Sequence, residues 1–443
     1  MSYAAAIDQL NSMTPELHTG AGQPRRKFSV EEVRTLLHAL GEPHRQFPSV
    51  LIAGTNGKGS TAATLASILT ASGLRTGLYT SPHLERPNER IRLGGSEISD
   101  TDFARLYFRV HETADRLVAS GQLPQHPSYF EVLTAQAFLY YAEQKIDIAV
   151  LEVGMGGRLD ATNVVEPLVS VITDISLDHT EWLGPTIAAI AREKAGILRP
   201  ESVMVTLPQH PEANQVLGEV ATSLGVRGIN AAAYVPSAHE ETSGAYSLEV
   251  LGEHITVDSP LTGAHQHRNI ALAIATAVEL AQNRGLPVTA ATIAQGIRST
   301  RWPGRLERIA RGPITWILDV AHNPAGAWAL RAGLRAFLPE GLPHALVFSC
   351  LRDKPVNELA QILFPIFEQV ILTPIHSSRA ASLDDLESAA QLTGAAATLA
   401  SSVRDALQIA ARLVPAGVIV VSGSVYLVGE ARAILLGHAG SAA

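Results

Sequence analysis

The feature that most constrains the fold is a glycine-rich segment, residues 54–61 (GTNGKGST), between an apolar run and a stretch of helical periodicity. The preceding run, Ser49–Ala53, has the composition of a buried strand, and residues 62–72 place apolar side chains at helical spacing. Glycines let successive backbone amides turn toward a phosphate, and a lysine adds positive charge. The order predicts a strand, a phosphate-binding loop and a helix.

The loop departs from the usual phosphate-loop spacing, because it is shorter and a glycine separates its lysine from its serine. The alternative interpretation is a glycine-rich turn that only caps a helix. We expect a nucleotide site whose phosphate-binding residues are Thr55, Asn56, Gly57, Lys58, Gly59 and Ser60.

Short Val/Ile/Leu runs alternate with helical stretches along the chain. Such runs lie at residues 77–80, 146–153, 168–175, 203–207, 314–318, 345–348, 370–373 and 418–421. The stretches between them that read as helices are 128–143, 269–282, 290–297, 326–337, 356–367 and 403–413. This alternation indicates parallel strands covered by helices on both faces. Alternating segments at 246–250 and 254–257 predict a small β insertion.

A turn-rich segment, residues 300–304 (TRWPG), interrupts this pattern and predicts a domain boundary. We expect an α/β protein with two domains. Residues 1–299 would form a phosphate-loop ATPase domain with a mainly parallel sheet, and residues 300–443 a smaller Rossmann-like α/β domain.

Composition excludes several classes of function. The net charge is −8 with no basic block, which argues against binding of nucleic acid. No apolar run reaches the length of a membrane span, residues 1–13 do not resemble a signal peptide, and the single cysteine, Cys350, excludes an intrachain disulfide. We therefore expect a cytoplasmic protein that acts on small molecules, with neither nucleic acid nor membrane as a partner.

Three further side chains are candidates for chemistry. Glu152 ends an apolar strand, where a carboxylate beside a phosphate loop would anchor Mg²⁺; otherwise it is a strand-end acid paired with an arginine. His179 is either a structural histidine or a ligand, and imidazole is an unusual ligand for Mg²⁺. Lys194 is either a solvated helix lysine or an amine near the site that is neutral enough to be carbamylated.

The motifs together resemble the Mur ligase superfamily, and within it the folylpolyglutamate synthase/dihydrofolate synthase family. The resemblance runs from about residue 28 onward. It is carried by AGTNGKGST (53–61), YTSPHL (79–84), NERI (88–91), SYFEVLTA (128–135), LEVGMGGRLDATN (151–163), SLDHTEWLG (176–184), REKAGI (192–197), HQHRN (265–269), WPGRLE (302–307), LDVAHNPAG (318–326) and GSVYLVGEAR (423–432). The segments around LDATN and SPHL are the most specific to the folate branch.

The resemblance implies a reaction. ATP would phosphorylate the substrate carboxylate, and the amine of L-glutamate would displace phosphate from the acyl phosphate. The protein then supplies positioning and charge neutralisation, and no protein nucleophile is required. The implied small molecules are ATP, Mg²⁺ (two ions), L-glutamate and a folate or dihydropteroate, and we expect a monomer.

The resemblance also implies residue roles. The metal ligands would be Ser81, Glu152 and His179, and Lys194 matches the family's carbamylated lysine near a second Mg²⁺. The further ATP contacts would be Asn269, Arg305 and Asp319, although Arg305 could equally form a linker salt bridge. His322 and Ser424 match positions near the glutamate or the reaction centre. The predicted catalytic residues are Lys58, Lys194 and His322, and Ser424 is a predicted substrate-binding residue.

Two stretches match the lining of the pterin site in relatives. They comprise Ser128, Tyr129, Phe130, Leu159, Asp160 and Ala161. The aromatic pair has a plainer interpretation as core packing. Residues 20–33 lack the Leu-Gly-Leu segment with which many relatives hold dihydropteroate, so the resemblance implies polyglutamylation more directly than dihydrofolate synthesis.

Two other hypotheses remain open. A ligase of the same fold could act on a cell-wall nucleotide precursor, although only about fifty residues precede the loop, too few for a further nucleotide-sugar domain of usual size. A phosphate-loop switch protein would instead hydrolyse ATP without a carboxylate substrate.

Overall fold

The protein is described by a computed structural model that covers residues 2–13, 29–237, 244–338 and 341–438. Residues 14–28, which include most of the segment that lacks Leu-Gly-Leu, lie outside the described residues. Two compact units are present. The first comprises Met1–Ser81, Pro87–Pro260 and His267–Arg301, and the second comprises Pro82–Arg86, Leu261–Gln266 and Trp302–Ala443.

The first unit is built on an eight-stranded sheet with the order β4-β3-β2-β5-β1-β6-β7-β8. Its strands are β1 (Ser49–Ala53), β2 (Thr76–Tyr79), β3 (Ile91–Leu93), β4 (Ser96–Glu97), β5 (Ile148–Glu152), β6 (Val169–Ile172), β7 (Val203–Thr206) and β8 (Arg227–Asn230). β3 pairs antiparallel with both β2 and β4, and every other pair is parallel. The predicted β insertion is confirmed as an antiparallel hairpin of β9 (Ala245–Val250) and β10 (Glu253–Asp258).

Helices accompany this sheet. They are α1 (Tyr3–Ser12), α2 (Val30–Ala39), α3 (Lys58–Ala71), α4 (Asp100–Ala119), α5 (Tyr129–Glu143), α6 (Thr180–Leu183), α7 (Ile187–Ala195), α8 (Pro211–Leu224), α9 (Ala264–Arg284) and α10 (Ala290–Ser299). Several begin at side-chain caps: Ser99 accepts from the amide of Asp102, and Ser128 forms a reciprocal capping box with Glu131. Among the described residues, none of the helices has the length and apolar character that crossing a membrane requires.

The second unit contains a six-stranded sheet with the order β11-β12-β16-β13-β14-β15, in which only the edge strand β11 is antiparallel. Its strands are β11 (Glu307–Arg311), β12 (Ile314–Asp319), β13 (His344–Phe348), β14 (Gln369–Leu372), β15 (Ala397–Leu399) and β16 (Gly417–Ser422). Its helices are α11 (Pro324–Leu334), α12 (Val356–Leu363), α13 (Leu383–Thr393), α14 (Val403–Leu413) and α15 (Val425–Leu436). The α/β class with a large parallel-rich sheet and a second mixed sheet is confirmed.

The complete burial of several strands explains why the sequence predicts the alternation of strands and helices. Every residue of β1, β5 and β16 is buried, so these strands read as continuous apolar runs. In the second unit two separate apolar clusters lie on the two faces of the sheet, one around Leu346 and Phe348 and the other around Val347. The predicted helix 356–367 ends earlier, at Leu363, and continues as one 3₁₀ turn that includes a proline.

Candidate active site

The predicted phosphate loop leaves the carboxyl end of the central strand of the first sheet. β1 is flanked by β5 and β6, and β2 lies beyond β5, all running parallel. Their carboxyl ends therefore meet at one edge, which is where ligands bind in open α/β sheets. The loop, Ser81 and Asp174 follow these strand ends, and Glu152 is the last residue of β5.

The loop is a tight turn that requires glycine at Gly57. This residue has φ +89°, and a Cβ there would lie 2.1 Å from Oδ1 of Asn269. Asn269 itself is buried, and its carbonyl accepts from the Thr61 hydroxyl at 3.3 Å, across 208 residues of sequence. The structure thus brings Asn269, predicted from a separate motif, directly against the phosphate loop.

Lys58 begins helix α3 and bends back over the loop. Its Nζ donates to the carbonyls of Gly54 and Thr55, each at 3.1 Å. The helix begins within the loop, so its amino-terminal amides and this ammonium present positive charge on the same side, which suits an anionic phosphate.

The first part of the loop is anchored by β6 and the residues after it. The amides of Thr55 and Asn56 both donate to the carbonyl of Asp174, at 2.9 and 3.1 Å. The Thr55 hydroxyl exchanges hydrogen bonds with the backbone of Ser176, and the Asn56 side chain donates to the Ser176 hydroxyl. These two amides are therefore used to hold the loop in shape.

Lys194 lies under the same loop and is not a solvated helix lysine. Only 3% of it is exposed, and its Nζ donates to the Gly54 carbonyl at 2.7 Å. Burial, aided by the neighbouring charge of Lys58, lowers the pKa of the Lys194 amine from 10.5 to about 7. A substantial fraction of the amine is therefore neutral near pH 7, which is the state that can react with an electrophile.

Glu152 and Ser81 lie together on adjacent strand ends. The carboxylate of Glu152 is buried, and its Oε2 accepts from the backbone amide of Ser81 at 3.1 Å. His179 adopts a left-handed conformation (φ 49°) just before α6, and its amide donates to the Asp178 carboxylate at 2.9 Å. These are oxygen and nitrogen donors of the kind that coordinate divalent metal ions.

Three of the six residues predicted to line a pterin site, Leu159, Asp160 and Ala161, line a small cavity in the first unit, whereas Ser128, Tyr129 and Phe130 are not part of its lining. Its volume is about 100 Å³, and its lining includes Leu159, Asp160, Ala161 and Trp182. The Asp160 carboxylate accepts from the amides of Met155 and Thr162, both at 3.0 Å, so it shapes this loop from inside. Burial raises the pKa of Asp160, against the hydrogen bonds that it accepts.

The predicted aromatic pair divides between core and surface. Phe130 is buried and lies so close to Gly154 that a Cβ there would be 2.7 Å from its ring, which matches the core-packing interpretation. Tyr129 is half-buried, with the Arg90 guanidinium 5.2 Å from its ring centroid. The Ser128 hydroxyl caps helix α5.

The second unit places its own predicted residues at one end of its sheet. Asp319 ends β12 beside Ser422 of β16, and Ser424 follows two residues later. Asp319 accepts from the amides of Leu306 and Ala321, and burial raises its pKa while the positive charge of Arg305 opposes that rise.

Two more predicted residues belong to this end of the second sheet. The Arg305 side chain donates to the Gly304 carbonyl at 3.1 Å, and Nδ1 of His322 lies 2.8 Å from the Val320 carbonyl. Ser424 caps helix α15 and is buried. The functional roles of these side chains stay predictions.

Two family models match the chain. The model described as the Mur ligase middle domain matches residues 52–277, and the Mur ligase, glutamate ligase domain matches residues 304–425. The chain is 36% identical to the folylpolyglutamate synthase of Lacticaseibacillus casei, and the alignment covers 99% of each chain. The chain belongs to the folylpolyglutamate synthase family of Mur ligases.

Solved structures of this family have the same fold. The Mycobacterium tuberculosis folylpolyglutamate synthase complexed with ADP and AMPPCP has a TM-score of 0.86 and 34% identity, over 98% of this chain and 99% of that one. The Escherichia coli protein FolC in complex with DHPP and ADP has a TM-score of 0.82 and 29% identity, over 99% and 98%.

One ion pair beside the loop, between Arg268 and Asp174, was not predicted from the sequence. The Arg268 guanidinium donates to both carboxylate oxygens of Asp174, at 2.9 Å and 3.2 Å from Nε. Arg268 directly precedes Asn269, and Asp174 is the residue whose carbonyl anchors the loop. The signal was present, since both residues lie within or beside quoted motifs, but their pairing depends on tertiary structure.

Proposed function

We propose that this chain joins L-glutamate to folates at the expense of ATP, and that it also joins L-glutamate to dihydropteroate. The observation that carries the proposal is the shared sheet edge of the first unit. There a phosphate loop, the buried Glu152 and the buried Lys194 adjoin the strand ends, and the carboxylate substrate would meet the nucleotide.

The proposed chemistry requires two displacements. A substrate carboxylate oxygen attacks the terminal phosphorus of ATP, the bond to the bridging oxygen breaks, and ADP leaves. The amine of L-glutamate then attacks the acyl carbon, loses a proton, and inorganic phosphate leaves from the tetrahedral intermediate. ATP has thereby converted oxide, a poor leaving group, into phosphate.

The chain's own contribution is positioning and charge. The ammonium of Lys58 and the start of α3 would balance the negative charge of the terminal phosphates. Asn269 packs against Gly57 and would fix the nucleotide side of the loop. Because these groups are already held by hydrogen bonds, little reorganisation is needed when ATP binds.

The donor set of this edge fits Mg²⁺. Glu152 supplies a carboxylate and Ser81 a hydroxyl, both of which are the hard oxygen ligands that Mg²⁺ prefers, and His179 would complete the set. A bound Mg²⁺ would neutralise charge on the phosphates. The sequence resemblance implies a second ion near Lys194.

Lys194 fits the carbamate that the family resemblance implies. In the neutral state, its Nζ would form a bond to the carbon of CO₂ and release one proton, which yields a carboxylate-like group. The depressed pKa, about 7, makes the neutral amine available, and burial would protect the product from hydrolysis.

For the organic substrate, the cavity offers apolar surface at Leu159, Ala161 and Trp182, beside charged lining residues. A flat pterin ring would bury apolar surface there. We assign Arg305, Asp319, His322 and Ser424 of the second unit to the ATP and glutamate side of the reaction.

The test is a paired assay with labelled glutamate, ATP and either tetrahydrofolate or dihydropteroate as acceptor. We expect ATP consumption to require both glutamate and an acceptor, and both acceptors to be labelled. Hydrolysis of ATP at the same rate without an acceptor would instead support the switch hypothesis. Labelling of tetrahydrofolate alone would restrict the activity to polyglutamylation.

A matched pair of variants locates the activity. Lys58→Ala removes the charge from the phosphate loop, and we expect ligation to fall by at least about 100-fold, in line with the loss of one key electrostatic group. Lys145→Ala removes an exposed lysine at the opposite end of the sheet and serves as the control. Equal activity of the two folded variants would refute the assignment.

A further inference from the structure

Three side chains of types that can bind a metal ion lie close together in space, and none of them belongs to the sequence motifs of the proposed nucleotide site. His111 and Asp115 lie four residues apart on helix α4, and His126 belongs to the connection between α4 and α5. One ligand atom from each lies within 4.8 Å of the other two, the only such group of three among the described residues. None of the three takes part in the proposed ligase reaction.

The spacing between these atoms is close to that of a metal site. Nε2 of His111 lies 3.6 Å from one carboxylate oxygen of Asp115, and Nε2 of His126 lies 3.5 Å from the other. Both distances exceed a normal hydrogen bond. Ligand atoms at about 2.0–2.1 Å from a tetrahedral Zn²⁺ are about 3.3–3.4 Å apart, so small side-chain shifts would suffice.

The Nε2 atom of His126 has no hydrogen-bond partner and is a candidate metal ligand. Nδ1 lies 3.2 Å from the Pro127 carbonyl, which can only accept, so this contact is a hydrogen bond when Nδ1 carries a proton. Nε2 is buried without a hydrogen-bond partner, and in the tautomer with the proton on Nδ1 its lone pair is available to a metal ion. A backbone carbonyl that fixes the tautomer in this way is the usual outer partner of a metal-bound histidine.

The surroundings hold the two rings in place while leaving a path from solvent. The ring of His111 stacks on Tyr107 at 5.6 Å, and the centroids of the two imidazoles are 4.7 Å apart. Burial, with the charge of Asp115, raises the pKa of Tyr107 to about 12, so this phenol stays neutral. The Asp115 side chain is 59% exposed, so an ion can reach it from water.

We propose that His111, Asp115 and His126 bind a divalent transition-metal ion of the Zn²⁺ class, with a fourth position open to water. Two imidazoles and one carboxylate form a donor set that suits Zn²⁺ better than Mg²⁺. The ion would link helix α4, through His111 and Asp115, to the connection between α4 and α5, through His126. Because the ion would bind the folded chain and not the unfolded one, it would stabilise the folded state rather than take part in glutamate ligation.

The test uses the full chain without a histidine tag, stripped of metal with a chelator and then dialysed. Calorimetric titration with ZnCl₂ should show a binding event in the wild type that loses at least about tenfold in affinity in His111→Ala and in His126→Ala, in line with removal of one metal-positioning group. His376→Ala, which removes an exposed histidine paired with Glu430, is the matched control and should bind as the wild type does.

Two further measurements keep the result interpretable. Zn²⁺ should raise the melting temperature of the wild type and of His376→Ala, and leave that of His126→Ala unchanged; Asp115→Asn, nearly isosteric, covers the case in which an alanine variant folds poorly. Co²⁺ should give the intense visible absorption of a four-coordinate site in the wild type and in His376→Ala, but not in His111→Ala or His126→Ala. Equal Zn²⁺ binding by all folded variants, or none by the wild type, would overturn the proposal and leave a histidine–aspartate cluster that is only an ion pair.

Discussion

Replacement of Lys194 by methionine should make the protein more stable near neutral pH while abolishing ligation. The Lys194 amine is buried with its pKa at about 7, whereas the same amine in the unfolded chain has its ordinary value of 10.5. Protonation therefore favours the unfolded chain. The cost to the folded state is complete below about pH 7 and disappears as the pH rises through 10.5.

The size of this effect follows from proton linkage. At about 1.4 kcal/mol for each pH unit between the two pKa values, the cost is about 4 kcal/mol near pH 7 and about 1 kcal/mol near pH 9.5. Lys194→Met removes the titrating group. It also removes the hydrogen bond to Gly54, at a cost of about 1–3 kcal/mol that is the same at both pH values.

The informative quantity is therefore the difference between two pH values. Urea unfolding of the wild type and of Lys194→Met, near pH 7 and near pH 9.5 in CO₂-free buffer, should show the variant losing about 3 kcal/mol of its relative stability. Lys145→Met, at an exposed lysine, controls for the substitution itself. A stability difference that is constant across this range would refute the conclusion that the folded state holds a neutral amine.

Two other predictions concern single positions. Gly57→Ala should weaken ATP binding at least about tenfold in an equilibrium titration, because the added Cβ would lie 2.1 Å from Oδ1 of Asn269. Gly73→Ala is the control, since Gly73 has a similar positive φ but open space around it, and this variant should bind ATP normally. Equal affinities of the two variants for ATP would contradict the steric argument. Burial raises the pKa of the Cys350 thiol to about 12, so this thiol should react with a thiol reagent only after the protein unfolds. Rapid modification of the native protein at pH 8 would show instead that the thiol is accessible.

The local sequence predicted the bounds of a strand or helix correctly where the pattern of apolar residues lay within that single element. The strand Ser49–Ala53 and helix α14 have the predicted bounds, because their side chains are buried in a regular pattern that the sequence repeats. By contrast, helix α4 was not predicted, although apolar residues recur along it at helical spacing. It supplies two of the three proposed metal ligands, so missing it also meant missing that cluster.

The sequence by itself indicated the α/β class, the glycine-rich loop at residues 54–61 and the family, since each is recognised from short patterns that are local in the chain. Tertiary structure alone decided which distant side chains meet that loop. Lys194 reaches Gly54 across 140 residues, and Arg268 reaches Asp174 across 94. The physical reason is that parallel strands separated by long crossovers bring their ends to one edge, and the resulting burial, which no local pattern records, sets the charge state of Lys194.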